Sequence, residues 1–290
     1  MKTIVVPVDF SDESMAGLEM AILIAGKTGS AIQMVHVITG LSNIARGTLG
    51  KEYDLAKARF NEIIEKYKGK NNDLDLSFII KEGKVYKEIK NQAEAYENSM
   101  IILSTHGNSG IEEFFIGSNA YKIASSASRP VISIRSLSET RNVRTIVLPL
   151  DMTKETREKV PFTAELAKLF NAKIYLLTLR SSNHMNIEKK LEAYARQVGD
   201  YLEKHEIPFK TDHLSGSNFT DITLEYALAE DADLISVMTE QEESISNFLL
   251  GNYAHQMINK SPVPVLLFPT YNITIINESL RTQGVYVYEM

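Results

Sequence analysis

Ile4-Val5-Val6-Pro7-Val8-Asp9-Phe10 returns 142 residues further on as Ile146-Val147-Leu148-Pro149-Leu150-Asp151-Met152. In each copy an unbroken apolar run closes on Pro-x-Asp and a helical pattern follows at once, the way a strand buried on both faces passes into its crossover helix. At the same offset Ala25 falls on Ala167, and Ala31-Ile32-Gln33-Met34-Val35-His36-Val37 falls on Lys173-Ile174-Tyr175-Leu176-Leu177-Thr178-Leu179. Later the offset drops to 134, pairing Gly117 with Gly251 and Pro130-Val131-Ile132-Ser133-Ile134 with Pro264-Val265-Leu266-Leu267-Phe268, so the second copy is eight residues shorter in its middle. The chain is two related α/β units in tandem.

Working outward from the repeat, the first half reads as strands near Thr3–Val8, Ala31–Val37, Asp75–Lys81, Met100–Ser104 and Pro130–Ile134. Helical patterns fall between them at Asp12–Lys27, Glu52–Lys68, Val85–Glu97 and Ser118–Ser126. The second half gives strands near Thr145–Leu150, Lys173–Leu179, Phe209–Leu214, Leu234–Met238 and Pro264–Phe268. Strict alternation, with strands that are continuously apolar, implies a parallel five-stranded sheet covered by helices on both faces in each half. The expected domains are residues 1–138 and 143–270, followed by a tail, 271–290, without a counterpart in the first half. In that tail Gly284-Val285-Tyr286-Val287-Tyr288 is a candidate edge strand. The polar link between the halves is short, so they are expected to pack on each other. Their apolar fifth strands, Val131–Ile134 and Val265–Phe268, are expected to pair, because open apolar edges need cover.

A chain of 290 residues, 44% hydrophobic, can build two full cores. A net charge of −6 without a basic block argues against nucleic acid and anionic membrane as partners, since both call for clustered Lys and Arg. The absence of cysteine excludes disulfides, thiol catalysis and thiolate metal sites. The stretch ahead of Asp9 is too short for a signal-peptide core and no apolar run is long enough to span a bilayer, which gives an expectation of a cytoplasmic protein.

In an open parallel sheet ligands sit beyond the carboxyl ends of the strands, where the winding reverses. The first and fourth strands of the first half end in Pro7-Val8-Asp9-Phe10-Ser11 and Ser104-Thr105-His106-Gly107-Asn108-Ser109-Gly110. A turn rich in Gly and small polar residues leaves backbone N–H groups to face an anion. Gly117-Ser118-Asn119 then opens a helix whose N-terminus carries unpaired N–H groups and the positive end of the dipole.

These residues resemble the universal stress proteins, in a tandem form. Nucleotide-binding members of that family carry Gly-x-x-Gly, nine residues, then Gly-Ser or Gly-Thr. This chain has Ser104-Thr105-His106-Gly107, nine residues, then Gly117-Ser118, lacking only the first glycine. Val6-Pro7-Val8-Asp9-Phe10-Ser11-Asp12, Gly83 and Ser128-Arg129-Pro130-Val131-Ile132 are also typical, and the likeness runs from residue 1 to about residue 270. The resemblance implies Rossmann-like domains with strand order 3-2-1-4-5, ATP binding in some members, with magnesium as a possible companion, and dimers paired through the last strand. Here the pseudo-dimer would lie within one chain, and a homodimer of the tandem chain would be the higher assembly.

Carried over residue by residue, the resemblance puts Pro7, Asp9, Val37 and Leu103 around the adenine end. Ser104, His106, Gly107, Gly117, Ser118 and Asn119 fall near ribose and phosphates. Ser104 departs from the pattern, adding a Cβ where the family has none. In the second half Met238-Thr239-Glu240-Gln241, nine residues, then Gly251-Asn252 has lost both loop glycines, and Glu240, Glu242 and Glu243 bring negative charge, so an empty or altered site is expected. Plainer readings stand beside these. Capping the helix that follows is the favoured reading of Asp151 and the lesser one of Asp9, Ser118 suits an N-cap as well as a phosphate, His106 can fill the loop or meet a phosphate, and His36 suits a satisfied core histidine better than a catalytic base.

No P-loop, Gly-x-Ser-x-Gly elbow or zinc spacing occurs, so efficient catalysis is not expected, although slow ATP hydrolysis stays open. Two functions follow from this. One is a stress-response sensor or regulator that binds adenine nucleotide in its N-terminal domain. The other is a ligand-free scaffold whose dimer surfaces act.

Overall fold

The structure is a computed structural model that describes residues 1–39, 50–68, 73–105, 116–135, 142–181, 185–239 and 251–270, together with the backbone of 46–49, 242–244 and 247–249. The first half runs β1 (Thr3–Pro7), α1 (Asp12–Thr28), β2 (Ala31–Ile38), α2 (Arg46–Lys68), β3 (Leu76–Glu82), α3 (Val85–Glu94), β4 (Ser99–Ser104), α4 (Ser118–Ser126) and β5 (Val131–Ile134). The second runs β6 (Thr145–Leu150), α5 (Val160–Phe170), β7 (Lys173–Arg180), α6 (Met185–Lys204), β8 (Phe209–Ser215), α7 (Phe219–Ala229), β9 (Leu234–Met238), β10 (Glu242–Ser244), β11 (Asn247–Leu249), α8 (Asn252–Lys260) and β12 (Val265–Phe268). The candidate strand at Gly284–Tyr288 lies outside the described residues.

The expected order 3-2-1-4-5 is found in both halves, but as one sheet of ten strands, β3-β2-β1-β4-β5-β12-β9-β6-β7-β8. The halves meet where β5 and β12 pair antiparallel, Val131 opposite Leu267, Ile132 opposite Leu266 and Ser133 opposite Val265. Every other ladder of this sheet is parallel. Neither half therefore exposes its fifth strand.

The pleat sends alternate residues to two cores, one per face. Ile4, Val6, Met100, Ile102, Ile146, Leu148 and Leu266 join the core under α1, α2, α5 and α6. Val5, Ile101, Leu103, Val147, Val265 and Leu267 join the core under α3, α4, α7 and α8. Both cores contain residues from both halves, so the joint is buried on each face.

The turn from β1 into α1 sets the site. Ser11 is the N-cap, its Oγ accepting the Ser14 N–H at 3.1 Å, with Asp12 and Glu13 in the first turn favoured by the helix dipole. Phe10 adopts φ 64°, costly for a bulky residue, and its ring packs on His36 and Phe60 at 4.8 and 4.9 Å. The second half differs. No α-helix follows β6 directly; a 3₁₀ turn at Glu155–Arg157 intervenes and α5 starts at Val160. Pro161 is the cause, because it has no N–H to donate and is tolerated only in the first turn of a helix. Among the described residues no helix is long and apolar enough to cross a membrane.

Candidate functional site

β1 is hydrogen-bonded to β2 on one side and β4 on the other, which makes the gap between β1 and β4 the point where the winding reverses. A cavity of about 460 Å³ opens there, at the carboxyl ends of the strands. Of the residues expected from sequence, Pro7, Asp9, Val37, Leu103, Ser104, Gly117, Ser118 and Asn119 all line it. His106 and Gly107 lie outside the described residues. Val8 and Thr105, from the two strand ends expected to face a ligand, line it as well, with His36, and Ser14, Val35, Val85, Ala120 and Ile123 complete the wall without having been foreseen.

Asp9 does not cap α1. Its Oδ1 accepts the Ser11 N–H at 3.0 Å and the Ser11 hydroxyl, so it holds the residue that does. Its carboxylate stands at the mouth of the cavity and is exposed. His36 is the satisfied histidine the sequence suggested. Its Nδ1 lies 2.7 Å from the Val8 carbonyl, which can only accept, so Nδ1 carries the proton and donates.

α4 supplies the anion-facing part. Its N-cap is Gly117, not Ser118, and no side chain caps it. The Gly117 N–H donates to the Thr105 carbonyl at 2.7 Å, and the Gly117 carbonyl accepts from Tyr121 at 3.0 Å as the first helical bond. The N–H groups of Ser118, Asn119 and Ala120 therefore have no acceptor within the helix, and these residues line the cavity. Gly117 has φ −58°, open to any residue, so close approach explains the glycine. A Cβ there would lie 3.3 Å from the Thr105 carbonyl oxygen. Among the described lining residues the one formal charge is Asp9, and no Lys or Arg is present. Just before the cap, the Ile116 N–H donates to Asn259 Oδ1 of the other half at 2.9 Å.

The second half repeats the arrangement in a cavity of about 620 Å³, lined by Pro149, Asp151, Leu179, Met238, Asn252, Tyr253, Gln256 and others. Gly251 caps α8 with φ −54°, again with no side-chain cap, and donates to the Thr239 carbonyl at 3.0 Å. Asp151 caps no helix either: its Oδ1 accepts the N–H and hydroxyl of Thr153 at 2.7 and 2.6 Å. Glu240 and Gln241 lie outside the described residues, while Glu242 and Glu243 fall on β10 of a small antiparallel hairpin.

Among the described residues no three His, Cys, Asp or Glu side chains gather as a metal cluster. A cluster of interacting titratable groups stands outside both cavities. Tyr226 donates to Asp212 and holds its carboxyl below the usual range, while Glu230 holds the Lys210 ammonium above its own.

A family model described as the universal stress protein family matches residues 1–135 and again residues 142–269. Universal stress protein YxiE of Bacillus subtilis is 25% identical over 142 residues, which cover 45% of this chain and 96% of that protein. A universal stress protein of Methanocaldococcus jannaschii is 28% identical over 141 residues, covering 46% of this chain and 82% of that protein. Among solved structures, a universal stress protein from Archaeoglobus fulgidus superposes with a TM-score of 0.77 at 17% identity, over 93% of this chain and 98% of the other, a likeness of fold.

Proposed function

The chain belongs to the universal stress protein family, and on that premise we propose that its N-terminal half binds an adenine nucleotide, ATP with magnesium, as a sensor or regulator without efficient turnover. The observation that carries the reading is the convergence of Asp9, Val37, Leu103 and the side-chain-uncapped start of α4 on one cavity at the switch point. Val37 and Leu103 offer apolar surface for a base. The N–H groups at Ser118, Asn119 and Ala120, with the positive end of the α4 dipole, suit a phosphate without needing a lysine. The glycine at 117 fits the same purpose, since a side chain there would take up space between the helix start and Thr105. Asp9, the one carboxylate of the described lining, stands at the adenine end, so magnesium would draw its shell from phosphate and water.

The competing reading, a ligand-free scaffold, rests on Ser104, whose side chain stands in the cavity wall where the nucleotide-binding pattern has glycine. A thermal melt decides between them. Millimolar ATP with magnesium is expected to raise the unfolding midpoint and GTP to raise it less. A midpoint unmoved by ATP would leave the scaffold reading.

A further inference from the structure

Two consecutive N–H groups lead into α4, and they are held from opposite halves. The Gly117 N–H donates to the Thr105 carbonyl just past β4, whereas the Ile116 N–H donates at 2.9 Å to Asn259 Oδ1 on α8. The amide of Asn259 has one orientation that suits both of its neighbours. Its Nδ2 donates at 2.9 Å to the His255 carbonyl, one turn back on α8, which leaves Oδ1 to face an N–H that can only donate. The Asn259 carbonyl in turn accepts Arg135 Nη1 at 2.9 Å, from the chain just past β5. Asn259 is thus fixed at three atoms, two of them by the first half. At the 134-residue offset its counterpart is Ser125, whose Oγ donates to the Lys122 carbonyl of its own helix at 3.2 Å, so the repeat gives no hint of the contact.

We propose that Asn259 is a positioning residue of the first-half cavity: from the opposite half it sets the residue ahead of the α4 cap, and with it the direction in which the Ser118, Asn119 and Ala120 N–H groups meet a phosphate. The assignment rests on the adenine-nucleotide reading and makes that site a composite of both halves. Three N–H groups of one turn hold an anion only where they converge, and no side chain caps α4 to fix them. Glycine at 117 leaves the backbone freer than any other residue would, so the helix start depends on anchors outside itself. Thr105 supplies one and Asn259 the other. The ring of Tyr121, edge-on to that of His255 at 5.1 Å, ties the next residues of α4 to the same stretch of α8. Asn259 touches no ligand in this scheme. It acts through Ile116 and Gly117, and so on the phosphate end of the cavity and not on the base.

Calorimetry on the full chain with ATP and magnesium, and separately with adenosine, tests the assignment. Asn259→Ala is expected to weaken ATP binding by about fivefold or more and to leave adenosine affinity unchanged, because only the phosphate end depends on the cap. Asn259→Ser, whose hydroxyl is one bond too short to reach Ile116, is expected to do the same. It places here the residue that the first half carries at the matching position, and it decides the matter should Asn259→Ala fold poorly. Leu266→Ala is the control, since Leu266 lies at the joint but in the core of the other face from α4 and α8. It is expected to lower the melting midpoint without altering ATP affinity. Should the parent bind no ATP, the nucleotide reading falls and this assignment with it. Parent binding that both Asn259 variants keep undiminished overturns the assignment alone. A parallel loss of ATP and adenosine, or an equal ATP loss in Leu266→Ala, overturns it too, since either would mark Asn259 as a structural contact of the joint.

Discussion

Gly117→Val tests the nucleotide site with little backbone ambiguity. The residue has φ −58° and ψ 141°, which valine adopts without strain, so the change acts through space alone. The new Cβ would lie 3.3 Å from the Thr105 carbonyl oxygen, a backbone atom already fixed by the 2.7 Å bond from the Gly117 N–H. The rest of the side chain must go where phosphate would meet the start of α4. Valine is a poorer N-cap than glycine, with a basal cost of about 0.5–1 kcal/mol. At ten times Kd, ATP adds RT ln(1 + [L]/Kd), about 1.4 kcal/mol, to the parent protein. For a chain of this length unfolding as one unit, that is a rise of about 2 °C. Scanning each variant with and without ATP cancels the basal cost. Gly117→Val is expected to lose the rise and Ser104→Gly to enlarge it, whereas Met238→Gly and Gly251→Val keep it. A full ATP rise in Gly117→Val, with loss in Gly251→Val, would reverse the assignment of the working half.

Leu266, fully buried opposite Ile132 at the joint, is expected to cost about 3 kcal/mol when cut to alanine, and urea unfolding should show both halves weakened together. Hydrogen exchange is expected to find Val131–Ile134 and Val265–Phe268 protected; rapid exchange in both strands would refute the pairing. Tyr226→Phe removes the donor that lowers the Asp212 pKa. A depressed carboxyl adds stability above its unfolded value and loses it as pH falls through the folded one, so the gap between parent and variant in urea midpoint should be steady from about pH 5 to 9 and close below about pH 3. Tyr226 itself, with a raised pKa, contributes while protonated and so does not tilt that plateau. Asn259→Ala leaves the Ile116 N–H without its acceptor, at a cost of about 1 kcal/mol, and exchange at the Ile116 amide should accelerate.

Elements were legible where local chemistry and tertiary packing agree. α4 was read to the residue, because Gly117 and Pro130 bracket a single apolar-faced stretch. β6 and β9 likewise fell at their expected residues, as apolar runs bounded by polar ones. α2 starts at Arg46, six residues ahead of the expected Glu52, since the sequence between them carries no helical apolar rhythm to mark the turn. The hairpin β10–β11 was missed because three-residue strands, one of them Glu242-Glu243-Ser244, are too short to alternate. In the candidate site the strand-end residues were readable from motif spacing, and what escaped was brought in by folding. Ser14, Val85 and Ile123 reach the cavity from α1, α3 and α4, a matter of helix azimuth that no local pattern records. Lys159, buried in the wall of the second cavity, escaped for another reason, since a lysine beside a helix start reads as solvated until packing buries it.

The joint explains why the halves were free to differ. Across it, counterparts in the repeat meet each other: Ile132 faces Leu266, and the ring of Tyr121 meets that of His255 edge-on at 5.1 Å. Such self-complementary contact is the mark of a two-fold interface, here enclosed in one chain. In a homodimer each contact must occur twice and suit both copies. In a tandem chain it need suit only one, and a one-sided bond follows: Arg135 Nη1 donates to the Asn259 carbonyl at 2.9 Å, whereas the counterpart of Arg135 is Pro269, which has no donor. The same freedom lets Gly17 stay a close-packed glycine while its counterpart at the 142-residue offset becomes the buried Lys159. It also gives α8 two duties, with Asn252 at one end lining the second cavity and Asn259 at the other holding the residue before Gly117. Movement of α8 along its axis would therefore reach the cap of α4 through Asn259, and Asn259→Ala is expected to weaken that link while the Tyr121–His255 contact and the Arg135 bond to the carbonyl of residue 259 remain.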